Sequence, residues 1–275
     1  MTIAGATLRG QGLTIANFRS TDTILLPVGD KNMTVSHNHV VGGYFGVVAG
    51  DNTGAATIDD TLIEGNKFDA QFGEDSIRAN RYEGLTIRAN EFVGNFENGN
   101  HNDCFQGVWT GDDLVFDRNY LHDNHCQGFF VKDQVAAPQF GVVGPVRRLT
   151  VTNNLFLRNQ GYQQIHLFGP VVDLTMSRNT IAGNNGDTGL LRDSGWTGFM
   201  RINDNYFRRA WIDNATETGG LTSSGNQHCE SFNKWSLVAS TQSCSPAFTN
   251  PATDDYRIPG GPGVDWKPSD YHYGP

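Results

Sequence analysis

The sequence predicts an all-β fold: a single-domain right-handed parallel β-helix of about eight to nine coils, with an irregular C-terminal tail. Three observations predict it. One unit, apolar-x-apolar-x-x-Asn-x-apolar, recurs along most of the 275 residues. Each copy alternates with period two before its asparagine, the pattern of a strand with one buried face. Glycine is abundant at 33 residues and charged residues make up only 18%, a mix that suits a turn-rich β chain better than a helical one.

The copies are LTIANF (Asn17), MTVSHNHV (Asn38), TLIEGNKF (Asn66), LTIRANEF (Asn90), LVFDRNYL (Asn119), LTVTNNLF (Asn154), LTMSRNTI (Asn179), MRINDNYF (Asn205) and a faded LTSSGNQH (Asn226). Their asparagines step by 21, 28, 24, 29, 35, 25, 26 and 21 residues. Repeats of that period indicate a solenoid. In a parallel β-helix, equivalent residues of successive coils stack about 4.8 Å apart. Inward positions stay apolar, and a stacked asparagine can hold the same tight bend in every coil, tolerating the left-handed conformation and bonding to its neighbour. The asparagines therefore read as a structural ladder. The uneven spacing means that loops protrude from some rungs. The repeat assigns residues 1–228 to the β-helix and 229–275 to a tail packing on it.

A second short strand lies between one asparagine unit and the next, beginning near residues 22, 45, 75, 103, 127, 163 and 188. Aligning these strands stacks Val47, Ile77, Phe105, Phe129, Ile165 and Leu190 in the core. The following residues, Val48, Arg78, Gln106, Phe130, His166 and Leu191, then face outward. Two residues on, the same face carries Gly50, Asn80, Val108, Lys132, Phe168 and Asp193. The strands start at Phe45, Asp75, Asp103, Gln127, Gln163 and Thr188.

Polar groups concentrate on the central rungs: Asp75, Arg78, Asn80, His101, Asp103, Gln106, Gln127, Lys132 and His166 fall within roughly 15 Å of axis. Trp109, Phe130 and Phe168 are close by in the same strands. Polar hydrogen-bonding groups beside apolar ring faces are what a sugar-binding groove requires. The Gly- and Pro-bearing stretch after Lys132 is placed to wall that groove.

The repeat and the Pro/Gly-rich tail resemble the secreted pectate-lyase-like and pectin-hydrolase-like superfamily of β-helix proteins, over roughly residues 10–228. Several alginate and glycosaminoglycan lyases of this kind use a lysine base and an arginine on one groove face. The resemblance implies a polysaccharide lyase acting on a uronate-containing chain by β-elimination. Lys132 would be the base, with its pKa lowered by Arg78 and partial burial. Arg78 or His166 would assist the leaving oxygen. Asn80, Gln106 and a calcium ion held by Asp75 and Asp103 would bind and neutralise the substrate carboxylate. His101, Asp103, Trp109, Gln127, Phe130 and Phe168 would line the bound chain.

Three alternatives stay open. Asp75 and Asp103 occupy equivalent places on adjacent rungs, as the paired carboxyls of a glycoside hydrolase would. HNDCFQ resembles the Asn-x-Asp-Gly turn of polygalacturonase-like hydrolases, but the next rung reads HCQGFF and lacks their Asp-Asp pair. A C5-epimerase shares the proton abstraction, and a non-catalytic polysaccharide-binding β-helix needs only the groove.

A net charge of −9 argues against a nucleic-acid partner, which calls for a basic patch. No run approaches the ~20 apolar residues of a membrane span. A polysaccharide, anionic in character, is the expected partner, and a monomer the expected state. The resemblance implies a secreted or periplasmic protein, although the opening MTIAGATLRG is already repeat-like and shows no leader pattern. Cys104 and Cys126 fall on successive repeats and read as small buried residues. Cys229 and Cys244 flank a short loop that suits either a disulfide or two thiols.

Overall fold

The alternation read from the sequence becomes a stack of short strands. In Thr34–Ser36, Leu62–Glu64, Thr86–Arg88 and Val115–Asp117 the middle residue points inward, and Val35, Ile63, Ile87 and Phe116 are wholly buried. A computed structural model of the chain describes residues 1–50, 57–70, 73–95, 102–132, 145–161, 163–168, 170–182, 189–190, 196–212, 220–233 and 238–274. Within them the coils pair in parallel and in register: Val35, Ile63 and Ile87 follow one another, as do Phe116 and Val151. This is a parallel β-helix. Its interior is a column of apolar side chains, in which Phe68 stacks on Phe92 at 5.0 Å and Phe105 on Phe129 at 5.2 Å. Fully burying one such side chain is worth about 1.5–3 kcal/mol, repeated rung after rung.

The asparagine ladder runs through the bend that ends these strands. Asn66 donates from Nδ2 to the Val35 carbonyl at 2.9 Å and to Asn90 Oδ1 at 3.0 Å, and its backbone N–H shares that same Oδ1 at 2.9 Å. The pattern repeats through Asn119, Asn154, Asn179, Asn205 and Asn226. Two details differ from the sequence expectation. The left-handed residue is the one before each ladder asparagine, namely His37, Gly65, Ala89, Arg118, Asn153, Arg178, Asp204 and Gly225. The asparagine instead uses its amide to join coils. Asn17 has φ 62° and so occupies the left-handed place, while the backbone N–H of Phe18 meets Asn38 Oδ1 at 3.1 Å. Asn17 is therefore outside the ladder and Phe18 stands at its first position.

A second ladder, of three asparagines among the described residues, lies one bend further on. Asn95 donates its backbone N–H to Asn124 Oδ1, and Asn124 does the same to Asn159 Oδ1. Each follows a left-handed residue (Gly94, Asp123 and Arg158) and sits five positions after an asparagine of the first ladder. Cys104 and Cys126 are buried beside it but are joined as a disulfide, correcting their reading as unpaired residues. Cys229 and Cys244 form a second disulfide.

The strand Asn226–Asn233 continues the ladder across residue 228, and Ser240–Gln242 pairs with it in parallel. The chain then turns back along a face formed by Tyr120, Leu155, Leu157, Ala182 and Tyr206, which packs against Val264 and Trp266. Trp266 Nε1 donates to the Asn153 carbonyl at 2.7 Å, and the N–H of Gly274 reaches the Gly65 carbonyl at 2.9 Å. The tail thus spans coils far apart in sequence.

Candidate functional site

The strands expected to line a groove stack as the alternation requires. Ile77 pairs with Val47 and Phe105, and Phe129 pairs with Phe105 and Ile165, all wholly buried. The residues after them form one outward column in which Arg78, Gln106, Phe130 and His166 are register partners in turn. Two positions on, Asn80, Val108, Lys132 and Phe168 form the parallel column. Gly189–Leu190 lies against Ile165–Phe168 as the alignment expects, while its ladder pairing is with Trp211 and Ile212 in the other sheet. Leu191 and Asp193 lie outside the described residues.

Asp75 and Asp103 open adjacent strands at the edge of the groove. The backbone N–H of Asp103 donates to Asp75 Oδ1 at 3.0 Å, and Gln106 Nε2 donates to Asp103 Oδ2 at 2.8 Å. Asp75 is 0% exposed and Asp103 1%. Burial, reinforced by the Asp103 carboxylate, pushes the Asp75 carboxyl well above the usual carboxylate range, although Arg78 opposes the rise. A calcium ion takes six to eight oxygen ligands. Among the described residues no three His, Cys, Asp or Glu side chains gather as a metal site, so Asp75 and Asp103 by themselves fall short of a calcium ligand set.

Arg78 is half-buried. Its Nη1 stands 3.8 Å from Asp75 and 4.0 Å from Glu74, too long for direct hydrogen bonds, while Nε donates to Asn80 Oδ1 at 3.4 Å. Asn80 is itself fully buried, so it serves to orient the guanidinium instead of reaching a bound chain. On the neighbouring rungs, Phe130 stacks on His166 with centroids 4.7 Å apart, and Phe168 meets His166 edge-on at 5.9 Å. Gln127 Oε1 lies 3.4 Å from His166 Nδ1. Gln106, Gln127, Phe130 and His166 are buried, so this part of the outward face leaves little area open to solvent.

The backbone of Lys132 ends the strand Gln127–Lys132, between Val108 and Phe168 on its neighbours. Trp109 belongs to the strand Asp103–Asp112. The side chains of both, and all of His101 and of the stretch 133–144, lie outside the described residues.

The sequence reading passed over Tyr44 and Glu74, and named Phe45 only as a strand start; the structure joins all three to this cluster. Tyr44 donates its phenol to Glu74 Oε1 at 3.0 Å, and the Arg78 guanidinium lies 5.8 Å over the Phe45 ring. Adjacent aromatics at 44–45, just ahead of a groove strand, were the available signal. No protein family and no curated protein sequence matches the chain.

Proposed function

We propose that the protein is a polysaccharide lyase that cleaves a uronate-containing chain by β-elimination in this groove, in the manner of the pectate-lyase-like β-helix proteins it resembles. The register carries the reading: the backbone of Lys132 lies two residues beyond Phe130, pairs with Phe168 on one side and Val108 on the other, and is two rungs from Arg78. A base and a cation thereby stand two rungs apart on one face, with Gln106 and Val108 on the strand between them, and the aromatic rings of Phe130, His166 and Phe168 begin at the Lys132 rung.

In this mechanism Arg78 pairs with the uronate carboxylate through its Nη groups, which makes the C5 proton acidic. Lys132 removes that proton. The electron pair forms the C4–C5 double bond, the C4–O4 bond breaks, and His166 supplies a proton to the departing O4. Asn80 and Asp75 hold Arg78, and Gln106 and Gln127 complete the polar floor. Because Asp75, Asp103 and Asn80 are buried, carboxylate binding falls to Arg78 and no step passes through calcium. Two disulfides suit an oxidising compartment, so secretion or a periplasmic location belongs to the same reading. The test is the product: an unsaturated uronate end, formed by the wild type and lost in Lys132→Ala.

One observation favours a second reading, hydrolysis by Asp75 and Asp103. They are carboxyls on adjacent rungs, and the former is held toward its protonated form. Like His166 in the first reading, these acids would have to be uncovered to reach the glycosidic oxygen, and at 0% and 1% exposed they lie deeper than His166 at 5%. Hydrolysis would leave reducing ends without unsaturation and would not depend on Lys132.

A further inference from the structure

The groove does not end at Arg78. On the rungs before it, the outward column continues with Val48 and Leu25, which pair with each other and, through Val48, with Arg78. The floor thus changes from charged to apolar within one rung, and Leu25 is 41% exposed. Tyr44, four residues before Val48 on the same coil, is 54% exposed, with more of its surface open than an ordinary aromatic side chain leaves.

Tyr44 is held in place on several sides. Its phenol donates to Glu74 Oε1 at 3.0 Å, its ring meets Phe45 edge-on at 4.9 Å, and its carbonyl accepts the Glu74 N–H at 2.7 Å. Gly73 of the next coil passes so near that a Cβ there would stand 2.4 Å from Tyr44 Cδ2. The same Glu74 carboxylate faces Arg78 Nη1 at 4.0 Å, so the exposed ring is tied to the group that reads the substrate carboxylate. A rigid, exposed aromatic face costs little conformational entropy when it binds.

We propose that Tyr44 is the stacking platform of a further sugar subsite, in which a pyranose ring of the polysaccharide lies on the Tyr44 face above Leu25 and Val48, one rung before Arg78. This rests on the carbohydrate reading of the groove and extends it: the enzyme would grip the polymer on the side of Arg78 away from Lys132. The chemistry recognised is the apolar face of a sugar ring. Charge plays no part, so this subsite accepts neutral and uronate residues alike and selects for chain length.

The test is affinity electrophoresis of the intact protein through gels containing alginate, polygalacturonate, glucuronan or hyaluronan, with Tyr44→Ala and Tyr44→Phe beside the wild type. Retardation of the wild type by at least one polymer is expected. Tyr44→Ala should then weaken the apparent Kd about three- to tenfold, the range of one aromatic contact, with unchanged thermal unfolding. Tyr44→Phe, which keeps the ring, should stay within about twofold of the wild type. Equal retardation of wild type and Tyr44→Ala would overturn the subsite and leave the groove reading intact. Absence of retardation by every polymer would overturn both.

Discussion

The carboxyl of Asp75 accepts the backbone N–H of Asp103 at 3.0 Å, joining adjacent rungs while both side chains stay out of water. The same carboxyl faces Arg78 Nη1 at 3.8 Å, so a single buried acid touches both the backbone joint and the cation of the site.

That relationship has a pH signature. Burial first, then Asp103, holds the Asp75 proton more tightly in the folded protein than in the unfolded chain, where a carboxyl titrates near about 4. Stability from this group is therefore full below that pH and falls as pH rises toward the folded value. Asp75→Asn keeps the acceptor and cannot ionise. Between about pH 4 and 8, the urea midpoint of the wild type should fall relative to that of Asp75→Asn. Parallel curves would show that the carboxyl carries no such strain. Carboxylates shifted the other way, such as Asp123 held near about 2 by Arg158, act only at lower pH and are common to both proteins.

The asparagine ladder should be a large stability term. Asn154 donates to the Phe116 carbonyl at 2.8 Å and to Asn179 Oδ1 at 3.0 Å, and its Oδ1 accepts from Asn119. Asn154→Ala strands those buried partners, each costing about 1–3 kcal/mol. Urea unfolding should show a loss of about 3 kcal/mol or more. A loss below about 1 kcal/mol would mean that water or neighbouring amides replace the ladder bonds.

The two disulfides should differ in access. Cys104 and Cys126 are buried in the core, whereas Cys244 is exposed. Under mild reductant the native protein should become alkylated at Cys229 and Cys244 first, with Cys104 and Cys126 protected until the coils open. Mass spectrometry of the labelled peptides reads the order, and early labelling of Cys104 would contradict the packing.

The tail is fastened by Trp266, which buries its ring and donates Nε1 to the Asn153 carbonyl. Trp266→Ala should cost about 3–5 kcal/mol, the usual range for emptying an aromatic core site. It should also expose the residues after 250 to limited proteolysis before the coils unfold. Simultaneous cleavage throughout the chain would instead mean that tail and coils unfold as one unit.

Much of the fold was legible because a stacked architecture repeats its constraints. The period-two alternation placed Ile77, Phe105, Phe129 and Ile165 inward and Arg78, Gln106, Phe130 and His166 outward, as the register has them. The ladder was legible from spacing alone, but its geometry was not: Asn17 comes one position early, in the left-handed place that His37 holds on the next coil, so Phe18 takes the ladder place. The second ladder carried a readable signal, an asparagine five residues after Asn90, Asn119 and Asn154. Burial of Asp75, Asp103 and Asn80 was not legible, because alternation tells which way a side chain leaves the strand and not what covers it. Tyr44 and Glu74 escaped for a related reason. They meet through a hydrogen bond between coils thirty residues apart, which no local pattern encodes.

The most direct measurement is ultraviolet absorbance during incubation with alginate, polygalacturonate, glucuronan and hyaluronan, read beside a reducing-end assay, for the wild type and Lys132→Ala. The account predicts rising absorbance on one of these polymers and a fall in kcat of about 10²–10⁴ in the variant, as expected for loss of a general base. New reducing ends without absorbance, undiminished in Lys132→Ala, would contradict elimination and assign the chemistry to Asp75 and Asp103.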